Sequence, residues 1–453
     1  MEPWAIKSNL TRLRSFCGVF DLKHAQEILK LSAIAIGMAI TISCNTILVS
    51  LFSFATGSQL LLAIAIAGGC MAIIALCFAE LSSKFPGAIG IRAFTKVAFG
   101  NQFSLAVSLF YVLMVVLIGG LEVYLCHLLL QQLLPPVLAL GLLLALVLAV
   151  LYINLRGYEL SLRLQIFMTL SVASMMLLLS GMAMQSSKLL DHQLVANVVE
   201  SHDLLNAIPR ALFLFIGIEW AIMHVTKHQS FKRIVPAALL FAVLIIAILY
   251  TNFAMALAHR FEVQSLQGDL LPHLSLARVM QSESAKLLVI VISLLAVLSS
   301  FNVGLSGAAR IVYSLARERE LPSWFAQLHG DKFIPRNAML VIALAVLFIA
   351  PLMQIQALNN CLSQLLSFHL ALVYACVLFA WLQMRRRKDQ RGVKQLVHPL
   401  LVLPCAVFLV VISIGVLLDP ANQVMRWIVF SELAALTGVC LYLFRLHFRK
   451  VEG

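Results

Sequence analysis

The chain has 453 residues, of which 62% are hydrophobic and only 12% charged, and its mean hydropathy is +0.97. Soluble domains carry roughly 25% charged residues, so the composition excludes a soluble enzyme and predicts an all-α polytopic membrane protein with no room for a separate soluble domain. The net charge of +13 is not gathered in one patch, which excludes a nucleic-acid partner as its explanation.

The basic residues instead fall in alternate connections: Lys84, Arg92 and Lys96; Arg156; Lys232 and Arg233; Arg317, Arg319, Lys332 and Arg336; then Arg385, Arg386, Arg387 and Lys388. The connections between them are short and nearly uncharged, or carry Asp191, Glu200, Asp203, Glu262 and Asp269. Only the loop with Arg260, Arg278 and Lys286 blurs the alternation. Positive residues stay inside, so both termini are expected in the cytoplasm, and the plasma membrane, the inner membrane of a bacterium, is the expected location. The nine cysteines are scattered through apolar runs without a CxxC pair and read as reduced packing residues.

Each membrane crossing needs about 20 apolar residues, and about twelve such runs follow one another. Residues 1–30 form a polar tail expected on the cytoplasmic surface, with no removable signal peptide. Span one, about 31–56, carries Ser43, Cys44 and Asn45 at its centre. Serine and asparagine compete for backbone hydrogen bonds, which favours a break there. Span two, about 58–81, ends on Glu80, expected as an ion-pair partner, and Pro86, Gly87 and Gly90 stop the helix. Span three, about 103–130, holds Glu122 in an apolar run with no charged neighbour, so this carboxylate needs a partner elsewhere or a proton. Spans four and five are about 137–153 and 161–182.

The segment 210–239 is the organising one. Residues 213–224 are apolar enough for lipid, yet Gly217 interrupts them and Glu219 places a carboxylate at membrane depth. A charge there costs roughly 2.5 to 3.5 kcal/mol on insertion scales, so Glu219 must face protein or a water-filled cavity. A helix unwound around residues 216–218 would free backbone groups of Phe215 and Gly217 for a ligand. A straight helix, with Gly217 admitting a close neighbour, is the alternative.

Span seven is about 234–257. Span eight, about 286–315, has Ser299, Ser300, Asn302 and Ser306 on one side, which fits either cavity lining or helix-to-helix hydrogen bonding. Spans nine and ten, about 339–355 and 362–383, bring His369 into the membrane. Spans eleven and twelve, about 400–418 and 427–444, look appended, and Glu432 is expected against a partner helix or subunit. No phosphate-binding glycine loop, metal-ligand cluster or nucleophile triad is visible, so no enzyme activity, cofactor or metal is expected.

Several motifs carry a resemblance. They are Phe215, Gly217 and Glu219 followed by a basic loop to Pro236; Ala79, Glu80 and Leu81 followed by Phe85, Pro86, Gly90, Phe99 and Gly100; and Gly307, Arg310, Tyr313, Arg317, Leu321 and Pro322 before Pro335. In this order they resemble the amino acid, polyamine and organocation transporter superfamily over nearly the whole chain. The resemblance implies a leucine-transporter-like fold: a 5+5 inverted repeat plus two C-terminal helices, with repeats at 31–184 and 204–384 and the extra pair at 397–447. It also implies that the break in span one, matched to Ser43, Cys44 and Asn45, receives a substrate carboxylate, and that a lysine known in some members' fifth span is replaced here by Val172. Glu320 stands where the family usually has glycine.

Two interrupted spans in matched positions point to a transporter with its site near the membrane midplane. The leading expectation is a secondary transporter of amino acids or related organic amines, with protons or a counter-substrate as further partners. A non-transporting nutrient sensor or membrane subunit on the same fold is the alternative. Ser43, Cys44, Asn45, Phe215, Ile216 and Gly217 are the expected substrate-binding residues, with Glu219, and Glu122 in reserve, as proton-coupling or gating groups. A closed, dry cavity favours a protonated carboxyl and an open, wet one the ionised form, which would link access to protonation.

Overall fold

A computed structural model describes residues 22–85, 90–185, 204–225, 233–261, 269–279, 283–330, 333–386, 396–419 and 422–449. Most of the N-terminal tail, the stop at Pro86 and Gly87, Asp191, Glu200, Asp203, Thr226, Lys227, Lys232, Glu262, Lys332, Arg387, Lys388 and Lys394 lie outside the described residues.

In lipid every backbone polar group must be satisfied within its own segment, and the apolar runs accordingly fold as helices. In chain order these are α1 (Leu22–Ala39), α2 (Ile42–Leu51), α3 (Gly57–Lys84), α4 (Gly90–Phe99), α5 (Asn101–Leu130), α6 (Pro136–Arg156) and α7 (Tyr158–Gln185). The second half begins with α8 (Leu204–Phe213) and a 3-10 segment (Ile218–His224), then α9 (Ile234–Arg260), α10 (Pro272–Val279), α11 (Glu283–Arg317) and α12 (Arg336–Ile349), which a 3-10 turn (Ala350–Gln354) extends. Next come α13 (Gln356–Arg386), α14 (Pro399–Leu418) and α15 (Gln423–Arg449). Among the described residues nine helices are long and apolar enough to cross a membrane, and α1 with α2, bent by 62°, makes a tenth. The other two expected spans are the broken segment of α8 and the 3-10 helix, and the 27-residue α15. Two short helices outside the spans, α4 and α10, were not expected from the sequence.

Burial sorts the helices into layers. The membrane-length window is 78% buried in α13 and 72% in α5, against 22% in α6 and 39% in α14, so α5 and α13 are inner helices while α6 and α14 are peripheral. Helices meet through small and polar residues, as expected where lipid supplies no hydrophobic drive for helix association. Gln165 of α7 donates to Ser299 Oγ (2.6 Å), Asn302 Nδ2 donates to Gln165 Oε1 (3.1 Å) and Asn154 Nδ2 donates to Asn302 Oδ1 (2.7 Å). Thr169 and Ser299 donate to the backbone of α1, at Ala33 O (2.9 Å) and Gly37 O (3.1 Å). A Cβ on Gly37 would lie 2.1 Å from both Gln165 Nε2 and Thr169 Oγ1, so only glycine permits this approach. Ser299 and Asn302 therefore join helices. Val172 is buried, and α7 makes its polar tie to α1 earlier, at Thr169.

One end of the bundle carries the basic residues and is closed by ion pairs. Arg92 of α4 is buried; its Nη2 donates to Glu318 Oε2 (2.9 Å) and to Asn101 Oδ1 (2.6 Å), while Lys96 reaches Glu318 at 2.6 Å. Burial pushes the Glu318 carboxyl up, but Lys96 and Arg92 outweigh it and hold it below the usual carboxylate range. Glu80, expected as an ion-pair partner, accepts from Arg385 at 2.6 Å and lies 3.8 Å from Lys84. After α11 the chain turns through Arg319 in the left-handed region (φ 64), with Glu320 N donating to Leu315 O and Arg319 N to Ala316 O. That pairing is a Schellman cap, so the residue that takes the glycine-favouring conformation is Arg319, one position before the expected Glu320. Glu320 instead accepts from Asn101 at 2.5 Å.

Glu432 meets a helix of its own chain. Its Oε2 lies 3.1 Å from Nε2 of the fully buried His369, whose ring stacks on Phe110 at 4.1 Å. The eight described cysteines are all free.

Candidate functional site

Span one breaks at Ile40 and Thr41, two residues before the expected stretch. Thr41 is extended (φ −119, ψ 163) and caps α2 by accepting from Cys44 N. That is the ordinary work of a threonine N-cap, and the capping competition expected of Ser43 and Asn45 falls to Thr41 instead. Ser43, Cys44 and Asn45 consequently form the first turn of α2. The ends exposed by the break are met by side chains from elsewhere. Tyr250 of α9 donates to Ala39 O at 2.8 Å, and Ser43 N donates to Glu122 Oε1 at 2.9 Å. Glu122, the carboxylate without a charged neighbour, thus sits at the positive end of a half-helix.

The break in span six follows the expected residues closely. α8 ends at Phe213, residues 214–217 turn, and the 3-10 segment starts at Ile218. Gly217 is left-handed (φ 85), and a Cβ there would lie 2.2 Å from Met38 Cγ. Glycine is needed twice over, by backbone conformation and by contact with α1. The two breaks adjoin: Cys44 Sγ lies 3.8 Å from Phe213 O, the last carbonyl of α8.

Glu219 is 3% exposed and tied on both oxygens. Tyr111 of α5 donates to Oε1, and Tyr374 of α13 donates to Oε2 at 2.7 Å. Trp220 stacks on Tyr111 at 5.6 Å and occupies the room left by Gly307, where a Cβ would come within 1.6 Å of its ring. Glu219 therefore ties the 3-10 segment to two inner helices.

A cavity of about 30 Å³ lies between the breaks, lined by Met38, Thr41, Glu122 and Ile216, with Ser300 and Phe301 of α11 and apolar side chains of α5 and α12. It holds about one water-sized group, so admitting a solute requires the lining to move. Glu122 is 2% exposed, and its second oxygen, Oε2, has no hydrogen-bond partner among the described residues. Of the expected site residues, Ile216 and Glu122 line this cavity, while Ser43 reaches it through the amide given to Glu122. Phe215 turns away and packs on Gly68 of α3, 3.3 Å from where a Cβ would stand. Asn45 Oδ1 is buried with no partner among the described residues and does not line the cavity.

Sequence reasoning missed Thr41 and the tyrosines, whereas Ser300, one of the span-eight residues expected either to line a cavity or to join helices, lines this cavity. A tyrosine in an apolar run is an available signal, because its hydroxyl needs a partner when buried, but it does not say which. The helix α10 is a further surprise. Thr46 of α2 donates to Leu270 O at 2.8 Å, just before α10. His273 of α10 is 3% exposed, and burial pushes its imidazole down to about 4 against the opposing pull of Asp269.

The chain is 27% identical over 250 residues to an uncharacterized transporter of Rhizobium meliloti (strain 1021), a match spanning 53% of this chain and about half, 50%, of that protein. Its fold is similar to that of a manganese transporter of Eremococcus coleocola, with a TM-score of 0.62, 13% identity and coverage of 94% of this chain and 95% of that one. A Na+-coupled sialic acid symporter in a substrate-bound outward-open state is similar at a TM-score of 0.54 and 13% identity, covering 85% of this chain and 89% of that one. These likenesses bear on the fold alone. The amino acid permease model matches residues 27–436, and the chain belongs to that family, within the superfamily its motifs resemble.

Proposed function

We propose that this chain is a secondary transporter of amino acids or related organic amines that works by alternating access, with its site between the two broken helices. One observation carries the reading: spans one and six are interrupted side by side, and the only acidic residue lining the cavity between them, among the described residues, is Glu122. Irregular backbone at membrane depth survives only where protein or a cavity surrounds it, and breaks paired in this way hold solutes in inverted-repeat transporters.

Family membership and the transporter neighbours support the reading. The neighbours' cargoes are not carried over: no group of three or more His, Cys, Asp or Glu side chains converges among the described residues in a way that would hold a metal ion. The basic end of the bundle is read as the cytoplasmic one, with both termini there and the Arg92–Glu318 and Glu80–Arg385 pairs acting as its gate. Opening that end means parting α4 from the end of α11, and α3 from α13. Glu219, held by tyrosines from two inner helices, is read as the group that links movement of the 3-10 segment to proton uptake or counter-substrate exchange.

The test is uptake into liposomes holding the purified chain, with radiolabelled amino acids and amines and an imposed proton gradient. Saturable accumulation supports transport. Saturable binding with no movement of any solute would replace it with the sensor reading.

A further inference from the structure

We infer that the ligand of this site is a primary ammonium compound without a carboxylate, because the protein supplies the carboxylate itself. This rests on the proposal that the cavity between the broken helices is the substrate site. Its starting point is the end of α2, a ten-residue helix whose N-terminal amides are the positive pole of the site. Those amides are already engaged: Cys44 N donates to Thr41 Oγ1 at 3.1 Å, and Ser43 N donates to Glu122 Oε1 at 2.9 Å. A ligand carboxylate would have to displace Glu122 and then share an apolar cavity with it, two negative charges in a low-dielectric space.

The other oxygen of the same carboxyl has the opposite requirement. Glu122 lines the cavity, its Oε2 is buried and without a partner among the described residues, and a buried carboxylate oxygen calls for a donor. The polar neighbours in that lining also have acceptor capacity. Ser300 spends its hydroxyl proton on Val297 O at 3.1 Å, which leaves its oxygen able to accept. An ammonium group brings three donors and a positive charge and needs no donor in return. The rest of the lining, Val115, Ile118, Phe301, Leu305, Ile342 and Val346, is apolar and suits a short aliphatic body. The geometry thus matches an alkylammonium ion at both ends, and an α-amino acid at only one.

Paired ligands differing only in the carboxylate test this on the full chain in detergent: ethylamine against alanine, isobutylamine against valine and isoamylamine against leucine. The readouts are the midpoint of thermal unfolding and competition for a radiolabelled amine. At least one amine should stabilise the wild-type chain and compete at least about tenfold better than its amino acid, the size of one charge-assisted hydrogen bond. Glu122→Gln keeps an acceptor for Ser43 N but removes the charge, and should lose that preference while retaining the fold. An amino acid that competes as well as its amine, or a Glu122→Gln chain that binds the amine as tightly as wild type, overturns the inference and leaves the transport proposal standing. An amine that binds as expected but is never taken up into liposomes upholds the inference and removes transport. If no member of either set binds, the inference falls, and liposome uptake alone decides the transport proposal.

Discussion

The two broken helices reach the same end by different means. In span six the break is made by the backbone: Gly217 takes a left-handed conformation against Met38, and its flanking carboxylate is fully occupied by Tyr111 and Tyr374. In span one no glycine takes part, and the break is held by side chains from other helices, Tyr250 on one exposed end and Glu122 on the other. A break made by the backbone tolerates no side chain at its hinge. A break made by capping side chains tolerates change in its own residues and depends on the caps. The two carboxylates differ likewise. Glu219 has both oxygens bound and is a tie, whereas Glu122, which lines the cavity, has one oxygen bound and one buried without a partner among the described residues.

The largest effect is expected at the backbone-made break. Gly217→Val adds a β-branched side chain where φ is positive and where even a Cβ meets Met38 at 2.2 Å. Uptake should fall to background in liposomes that contain normal amounts of protein. Retained uptake would mean that the hinge is not needed, and the contrast between the breaks would lose its basis.

Glu219→Gln comes next. A carboxamide can accept from one tyrosine, but its NH₂ faces the other, which must turn to accept, so about 1–3 kcal/mol of stability should be lost in a chemical or thermal unfolding series. The pH dependence of uptake should flatten as well, because glutamine cannot titrate. A variant with the wild-type pH profile would leave Glu219 as a tie and nothing more.

Acid should separate the two breaks. His273 has its imidazole pushed down to about 4, from roughly 6.5 when unfolded, so the folded state binds its proton less readily. A depressed value of this kind contributes stability that is complete above the unfolded value and lost as pH falls from about 6.5 toward 4. Because the chain just before α10 is bonded to Thr46, hydrogen exchange should quicken first in α10 and the outer part of α2 over that range, while residues 218–224 stay protected. Equal loosening of both regions, or none in α10, would contradict the assignment.

Much of this was legible in the sequence. Span positions follow from the length of apolar runs, because lipid permits little besides helices, and the span-six break follows from a glycine next to an intramembrane carboxylate. The span-one break was misplaced by two residues because Ser43 and Asn45 resemble break-formers, whereas the N-cap is Thr41 and the ends are satisfied by Tyr250 and Glu122, respectively 211 and 79 positions away in the chain. Nothing local signals partners so distant. For the same reason Glu219 ranked above Glu122 in the sequence, although of the two only Glu122 lines the cavity.

The caps of span one give the smaller expected effects. Tyr250→Phe leaves Ala39 O buried without its donor and should cost about 1–2 kcal/mol, read from the shift in unfolding midpoint. Ser43→Ala should cost less. What Ser43 gives the site is its backbone amide, which alanine keeps, while its hydroxyl, beside the Glu122 carboxyl, shares a proton with Thr41 Oγ1 at 2.9 Å, an atom that also caps Cys44 N. Losing one neutral hydrogen bond while the helix gains a better helix former should leave stability within about 1 kcal/mol of wild type. Amine binding should be nearly unchanged, since Glu122 keeps its donor. Ser43→Pro removes the amide itself at the first turn of α2, where a proline ring is otherwise tolerated. It should release Glu122 and abolish binding. If Ser43→Ala proved as damaging as Ser43→Pro, the hydroxyl rather than the amide would be the working group at this break, and Glu122 would not be held as described.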